Sequence, residues 1–130
     1  MILIDTSVLI EYFRKQKKEE TFLFQLIKND DELCISAITK YEIIVGNSPK
    51  QEAFWENVLV SLKVLEFGDR EADKTALIYK ELKKKNKLIG FADIAIAATA
   101  FTNQMQLATL NIKHFRRIDK LEIVEKKWVV

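Results

Sequence analysis

The sequence predicts an α/β fold: a three-layer sandwich in which a mostly parallel central sheet of about five strands is flanked by helices. Three observations carry that prediction. Short apolar runs alternate with longer segments of helical periodicity almost throughout the chain, the order that successive strand–helix–strand units produce. The first run, Ile2-Leu3-Ile4, contains no polar alternation, which marks a strand buried on both faces and therefore a sheet covered by helices on each side. Capping residues also fall between the segments, where helix starts and stops are needed.

The elements follow in order. After the first strand comes Asp5, and Thr6 and Ser7 offer N-cap hydroxyls for a helix expected from Val8 to about Lys15, with Val8, Leu9, Tyr12 and Phe13 at helical spacing. The charged run from Lys17 marks the turn into a second helix whose buried face is expected to be Phe22, Leu23, Leu26 and Ile27, ended by Asn29-Asp30-Asp31. Glu32 to Ile35 reads as a second strand leading to Ser36, an N-cap for a helix that carries Glu42 near its second turn and closes at Gly46 and Asn47. Ser48-Pro49-Lys50-Gln51 fits a capping box, with Ser48 as N-cap and Gln51 reaching back to its amide, ahead of an apolar face of Phe54, Trp55, Val58, Leu59 and Leu62.

Val64 to Phe67 is a third strand, and Gly68-Asp69 opens a long helix running to about Asn86, with Ala72, Ala76, Leu77, Tyr79 and Leu82 expected inside. The next helix carries Asp93 among Ala92, Ala95, Ala97, Ala98 and Ala100; so little side chain lets its backbone approach the sheet closely, which is expected to place Asp93 deep. Gln106 to Thr109 gives a fourth strand ending at Leu110-Asn111, a short turn passes through His114-Phe115, and Leu121 to Val124 gives a fifth.

Composition bounds the function. A chain of 130 residues with 48% apolar and 31% charged residues, and with only 3 Gly and 1 Pro, has room for one core and no linker, so residues 1–130 are expected to form one domain. The longest apolar-leaning stretch, Ile94 to Phe101, is far short of the roughly 20 residues of a membrane helix, and no charged segment precedes a hydrophobic one at the start. No membrane association and a cytoplasmic location are therefore expected. Cys34, the single cysteine, reads as a small core residue. A net charge of +2 does not announce nucleic-acid binding. The basic residues are clustered, however: Lys80, Lys83, Lys84, Lys85 and Lys87 in one segment, and six from Lys113 onward. Such clusters form either a phosphate-attracting surface or solvated helix faces.

Ligands of open parallel sheets gather beyond the carboxyl ends of the strands. Asp5 and Asn111 fall just after predicted strands, and Glu42 and Asp93 sit in the opening turns of helices that can point to the same edge. Converging carboxylates repel, by about 4 kcal/mol per pair at 4 Å and an effective dielectric near 20. A divalent cation resolves this repulsion, and an all-oxygen donor set suits Mg²⁺, which keeps several waters of its own. Zinc does not fit, because His114 and Cys34 are the only soft ligands and are not spaced as a site.

Four segments, Ile4-Asp5-Thr6-Ser7, Ser36 to Glu42, Ile89 to Ala98 and Leu107-Ala108-Thr109-Leu110-Asn111, resemble in order and spacing the PIN-domain nucleases, and in particular the small VapC-type toxins of toxin–antitoxin pairs. The resemblance covers nearly the whole chain. It implies a PIN-like sandwich and a Mg²⁺-dependent endoribonuclease, with Mn²⁺ as a substitute metal. Asp5, Glu42 and Asp93 would be the metal-binding acids, and Asn111 a catalytic residue standing where many members carry a fourth aspartate. Thr6 matches the hydroxyl position beside the first acid. Thr6 and Thr109, with Lys83, Lys84 and Lys85, are the expected contacts to an RNA substrate. A homodimer and a cognate antitoxin that blocks the site are implied as well. His114 stays outside the expected catalytic set. Two rivals remain: a silent RNA-binding module on the same fold, and a receiver-like signalling domain. The latter needs an acidic pair at the first strand and a lysine directly after the last, and neither is present.

Overall fold

The computed structural model describes residues 1–29 and 31–127. Five strands form one sheet: β1 (Ile2–Ile4), β2 (Leu33–Ser36), β3 (Lys63–Leu65), β4 (Gln106–Ala108) and β5 (Ile123–Val124), in the order β3-β2-β1-β4-β5. Every pairing is parallel, with Leu3 opposite both Cys34 and Leu107. The chain winds outward from β1 in one direction through β2 and β3, then returns to the other side of β1 with β4. The gap between β1 and β4 is therefore the point where the strand order reverses.

The central strand shows why its run is apolar at every position. Leu3 faces a core cluster that includes Cys34, Ile78, Leu82, Ile96 and Leu107, while Ile2 and Ile4 face the opposite cluster with Val8, Leu9, Phe22, Ile35 and Trp55. Helices α1 (Thr6–Arg14), α2 (Phe22–Lys28), α3 (Ala37–Gly46) and α4 (Glu52–Val60) feed side chains to the second cluster; α5 (Asp69–Lys84), α6 (Phe91–Thr102) and the one-turn α7 (Ile112–Phe115) feed the first. In α6, Ala95, Ala97, Ala98 and Ala100 are all fully buried, so its backbone lies close against its neighbours. No helix among the described residues is long and apolar enough to cross a membrane. Cys34 is a buried core residue, and burial pushes its thiol pKa up.

Several local expectations change. The cap of α1 is Asp5, not Thr6 or Ser7: its carboxylate accepts the Val8 N–H, so the helix begins two residues earlier than expected. Thr21 caps α2, and Ile27 on that helix is exposed, because Phe22, Leu23 and Leu26 already fill the contact with the sheet. Asp30, expected at the end of that helix, lies outside the described residues. Gln51 does reach back to the Ser48 amide, at 3.0 Å, but residues 49–51 form a turn and α4 starts at Glu52.

The largest change is in α5. Ala72, Ala76, Leu77 and Tyr79 are exposed, and the buried stripe is Glu71, Thr75, Ile78 and Leu82. Those four recur at helical spacing on one face. The polar pair at its start is tolerated because Glu71 accepts the Gly68 N–H at 3.0 Å and Thr75 returns its hydroxyl to the Glu71 carbonyl at 2.6 Å. Satisfied this way, Glu71 and Thr75 can face inward, which turns the small apolar residues out.

Candidate active site

The site is assembled at the carboxyl end of β1, where the strand order reverses. The Asp5 N–H bonds the Ala108 carbonyl at 3.1 Å, which fixes the end of β1 against β4. Ser7 donates to Asp5 Oδ1 at 2.6 Å and accepts the Leu110 N–H at 3.1 Å, so one hydroxyl ties the two strand ends together. Thr109 donates to Asp5 Oδ2 and accepts the Asn111 N–H at 2.9 Å. Asp5 is only 3% exposed, and both its carboxylate oxygens accept hydrogen bonds.

Burial dominates its ionisation, pushing the pKa from the ordinary 3.8 to about 6, against the opposing pull of the bonds from Ser7, Thr109 and Val8. The neighbouring charge of Asp93 raises it further. That coupling places the two acids in one electrostatic environment.

Glu42 arrives from α3, which Ser36 caps by accepting the Ile38 N–H at 3.0 Å. The Thr6 hydroxyl donates to Glu42 Oε1 at 2.6 Å, with the Thr39 hydroxyl 3.2 Å away. Asp93 sits in the first turn of α6, its side chain 30% exposed. It lies at the mouth of the site and not deep within it, because the alanines that approach the sheet begin only at Ala95. Asn111 leads into α7, and its amide nitrogen is 2.9 Å from His114 Nδ1, which in turn lies 3.5 Å from Asp93 Oδ2.

Short contacts through Thr109 and His114 thus join Asp5, Asn111 and Asp93, while Thr6, next to Asp5 in the chain, holds Glu42. Two members of this set depart from the expected roles. Thr6 and Thr109 were expected to meet substrate, yet each directs its hydroxyl proton to a carboxylate, and Thr109 is fully buried. His114 is a member that the sequence reading set aside. The available signal was its spacing three residues after Asn111, which one helical turn brings onto the same side. Lys83, Lys84 and Lys85 lie outside the set, exposed at the end of α5, with Lys83 over the Tyr79 ring at 5.9 Å.

The donor chemistry fits a hard dication. Among the described residues, no lysine or arginine pairs with Asp5, Glu42 or Asp93. Among the described residues, no three His, Cys, Asp or Glu side chains are grouped so as to grip one ion directly. All three acids offer oxygen donors, the kind a hard dication takes.

A parallel sheet whose strand order reverses beside a buried aspartate defines an open α/β protein with an acidic candidate site at the carboxyl edge of its strands. Comparison with known proteins narrows the class. Residues 2–121 match the PIN domain. The chain is 38% identical over 128 residues to ribonuclease VapC1 of Methanocaldococcus jannaschii, covering 96% of this chain and 88% of that protein. It is 32% identical to ribonuclease VapC10 of Mycobacterium tuberculosis, over 94% of this chain and 91% of the other. Among solved structures, DNA-bound VapBC from Salmonella typhimurium superposes with a TM-score of 0.87 at 27% identity, over 97% of this chain and 98% of that one. FitAcB from Neisseria gonorrhoeae gives 0.79 at 31% identity, over 95% and 96%. The chain belongs to the PIN-domain family.

Proposed function

We propose that this protein is a metal-dependent endoribonuclease and the toxin of a toxin–antitoxin pair, with Asp5, Glu42 and Asp93 holding Mg²⁺ and Asn111 completing the site. The observation that carries the proposal is the buried, hydrogen-bonded Asp5 at the reversal point of the sheet, electrostatically coupled to Asp93, with no lysine or arginine among the described residues paired to Asp5, Glu42 or Asp93. The ribonuclease names of relatives that align along nearly the whole chain support the reaction class, and the VapBC complexes among its structural neighbours support an antitoxin partner. Mn²⁺ is the expected substitute metal. A homodimer and a cytoplasmic location complete this reading.

A bound dication supplies charge neutralisation for the carboxylates and for the phosphate under attack, and lowers the pKa of water at the site. The chain's own part is to hold the oxygen donors in place before substrate arrives. Ser7 and Thr109 fix both oxygens of Asp5, and Thr6 fixes Glu42. Threonine hydroxyls suit this task because each is anchored elsewhere: Thr109 by the Asn111 amide, Thr6 at the start of α1. His114 holds Asn111 at the rim and faces Asp93. Neutral oxygen at Asn111 leaves the free site with one carboxylate fewer than four acids would give, so a single ion should bind before RNA.

The test is to incubate purified, antitoxin-free protein with total RNA plus Mg²⁺ or a chelator and map new 5′ ends. New ends should appear only with metal, and Asp93→Asn should abolish them with its circular dichroism spectrum intact. Cleavage at the wild-type rate by Asp93→Asn would remove Asp93 from the site.

A further inference from the structure

The two basic clusters, separate in sequence, meet in the fold. Lys85, at the end of α5, pairs with Asp119 at 2.9 Å, and Arg117 donates to the Leu88 carbonyl at 3.1 Å. Lys120 and Lys87 also surround Asp119, and together with Lys85 they hold its carboxyl below the usual range. One acid therefore sits among three lysines, with Arg117 held nearby in the chain against the Leu88 carbonyl. The surface is built on fixed backbone: Asn86 and Lys120 take left-handed conformations with φ of 57° and 65°, and the Lys87 N–H closes the end of α5 onto the Leu82 carbonyl at 2.8 Å. Both segments lead into the active site. Leu88 is five residues before Asp93, at most about 18 Å of chain, and Arg117 is three residues beyond His114.

We propose that Lys85, Lys87, Arg117 and Lys120 form an anchoring site for a backbone phosphate of the RNA beside the cleavage point, and that Asp119 occupies it in the free protein and is displaced when RNA binds. The inference rests on the ribonuclease reading and specifies where its substrate is held. The exposed Lys85–Asp119 pair, with side chains 45% and 68% accessible, suits an exchangeable contact: such pairs contribute little to stability, so a backbone phosphate on a polyanionic chain that releases counterions as it binds displaces the carboxylate readily. Asp119 thus lowers affinity for RNA while keeping the cations apart and in register.

The test measures binding of a short fluorescein-labelled single-stranded RNA of mixed sequence by anisotropy in chelator, across a salt series, alongside Mg²⁺-dependent cleavage. The Lys85→Gln/Lys87→Gln double variant should lower the salt slope by about 1.4, from about 0.7 per lost phosphate contact. It should raise KM while kcat changes little. Asp119→Asn should tighten binding, up to about fivefold given the free energy of an exposed ion pair. A charge-matched control outside the cluster, Lys28→Gln/Lys50→Gln, should leave the slope near wild type. An unchanged slope in the double variant, an equal drop in the control, or weaker binding by Asp119→Asn overturns the anchoring site while wild-type cleavage leaves the ribonuclease reading standing. Wild-type protein that neither binds nor cleaves RNA overturns both.

Discussion

Replacing Asp5 with asparagine should stabilise the metal-free protein near neutral pH while destroying its function. The buried carboxylate has its pKa raised from 3.8 to about 6. Because the folded value exceeds the unfolded one, the native state holds the proton more tightly, and the associated stability is fully present below about pH 4. It is lost as pH rises through about 6. At 1.36 kcal/mol per pKa unit, the full loss is about 3 kcal/mol, of which about 2 kcal/mol falls between pH 4.5 and 7.5. Asparagine carries no charge at any of these pH values and escapes this loss. Any hydrogen bond that the amide makes less well with Ser7 or Thr109 is a constant offset, so the change of the stability gap with pH isolates the charge.

Urea melts of both proteins in chelator at about pH 4.5 and 7.5 should show the gap moving by about 2 kcal/mol in favour of Asp5→Asn. Mg²⁺ added at the higher pH should raise the wild-type midpoint and leave the variant's unchanged. A gap that does not vary with pH would refute the burial argument, and an equal Mg²⁺ shift in both proteins would remove Asp5 from the ion site.

Thr6→Val keeps the shape beside Glu42 but removes its hydroxyl donor, so kcat should fall about 10- to 100-fold, the usual cost of losing a group that orients a ligand. Steady-state cleavage beside a thermal melt separates that effect from unfolding. Asn111→Asp adds a fourth carboxylate and should tighten Mn²⁺ binding in titration calorimetry, whereas Asn111→Ala should cost less activity than Asp5→Ala; two tight sites in the RNA-free wild type would contradict the reasoning. Ala97→Leu forces extra volume into fully buried space between α6 and its neighbours and should cost about 1–3 kcal/mol in urea denaturation. Light scattering at micromolar concentration tests the proposed dimer, and a strict monomer would count against it.

Much of the frame around the candidate site was legible in the sequence. The run Ile2-Leu3-Ile4 fixed a strand buried on both faces, because only such a strand is apolar at consecutive positions. An acid directly after it had to lie at the carboxyl end of the sheet. The order of strands and helices then required parallel neighbours, since each crossover is long enough to carry a helix.

What the sequence could not express is how groups distant along the chain share protons and space. Asp5 reads equally well as a turn residue or a ligand. Only its burial against β4 raises its pKa and turns its neighbour Ser7 and the remote Thr109 into its donors. The resemblance assigns the hydroxyls of Thr6 and Thr109 to substrate but says nothing of which acceptor each meets in the fold, and here each meets a carboxylate. The face of α5 was misjudged for a related reason: Glu71 and Thr75 are polar, and only their local hydrogen bonds make them fit to face inward. His114 drew no weight as a lone histidine, and gained it only when α6 and α7 brought Asp93 and Asn111 to its ring. Local pattern determines which elements form and which residues they end on. Long-range packing decides which of those residues lose water and meet one another, because desolvation and hydrogen bonding depend on neighbours in space rather than in sequence.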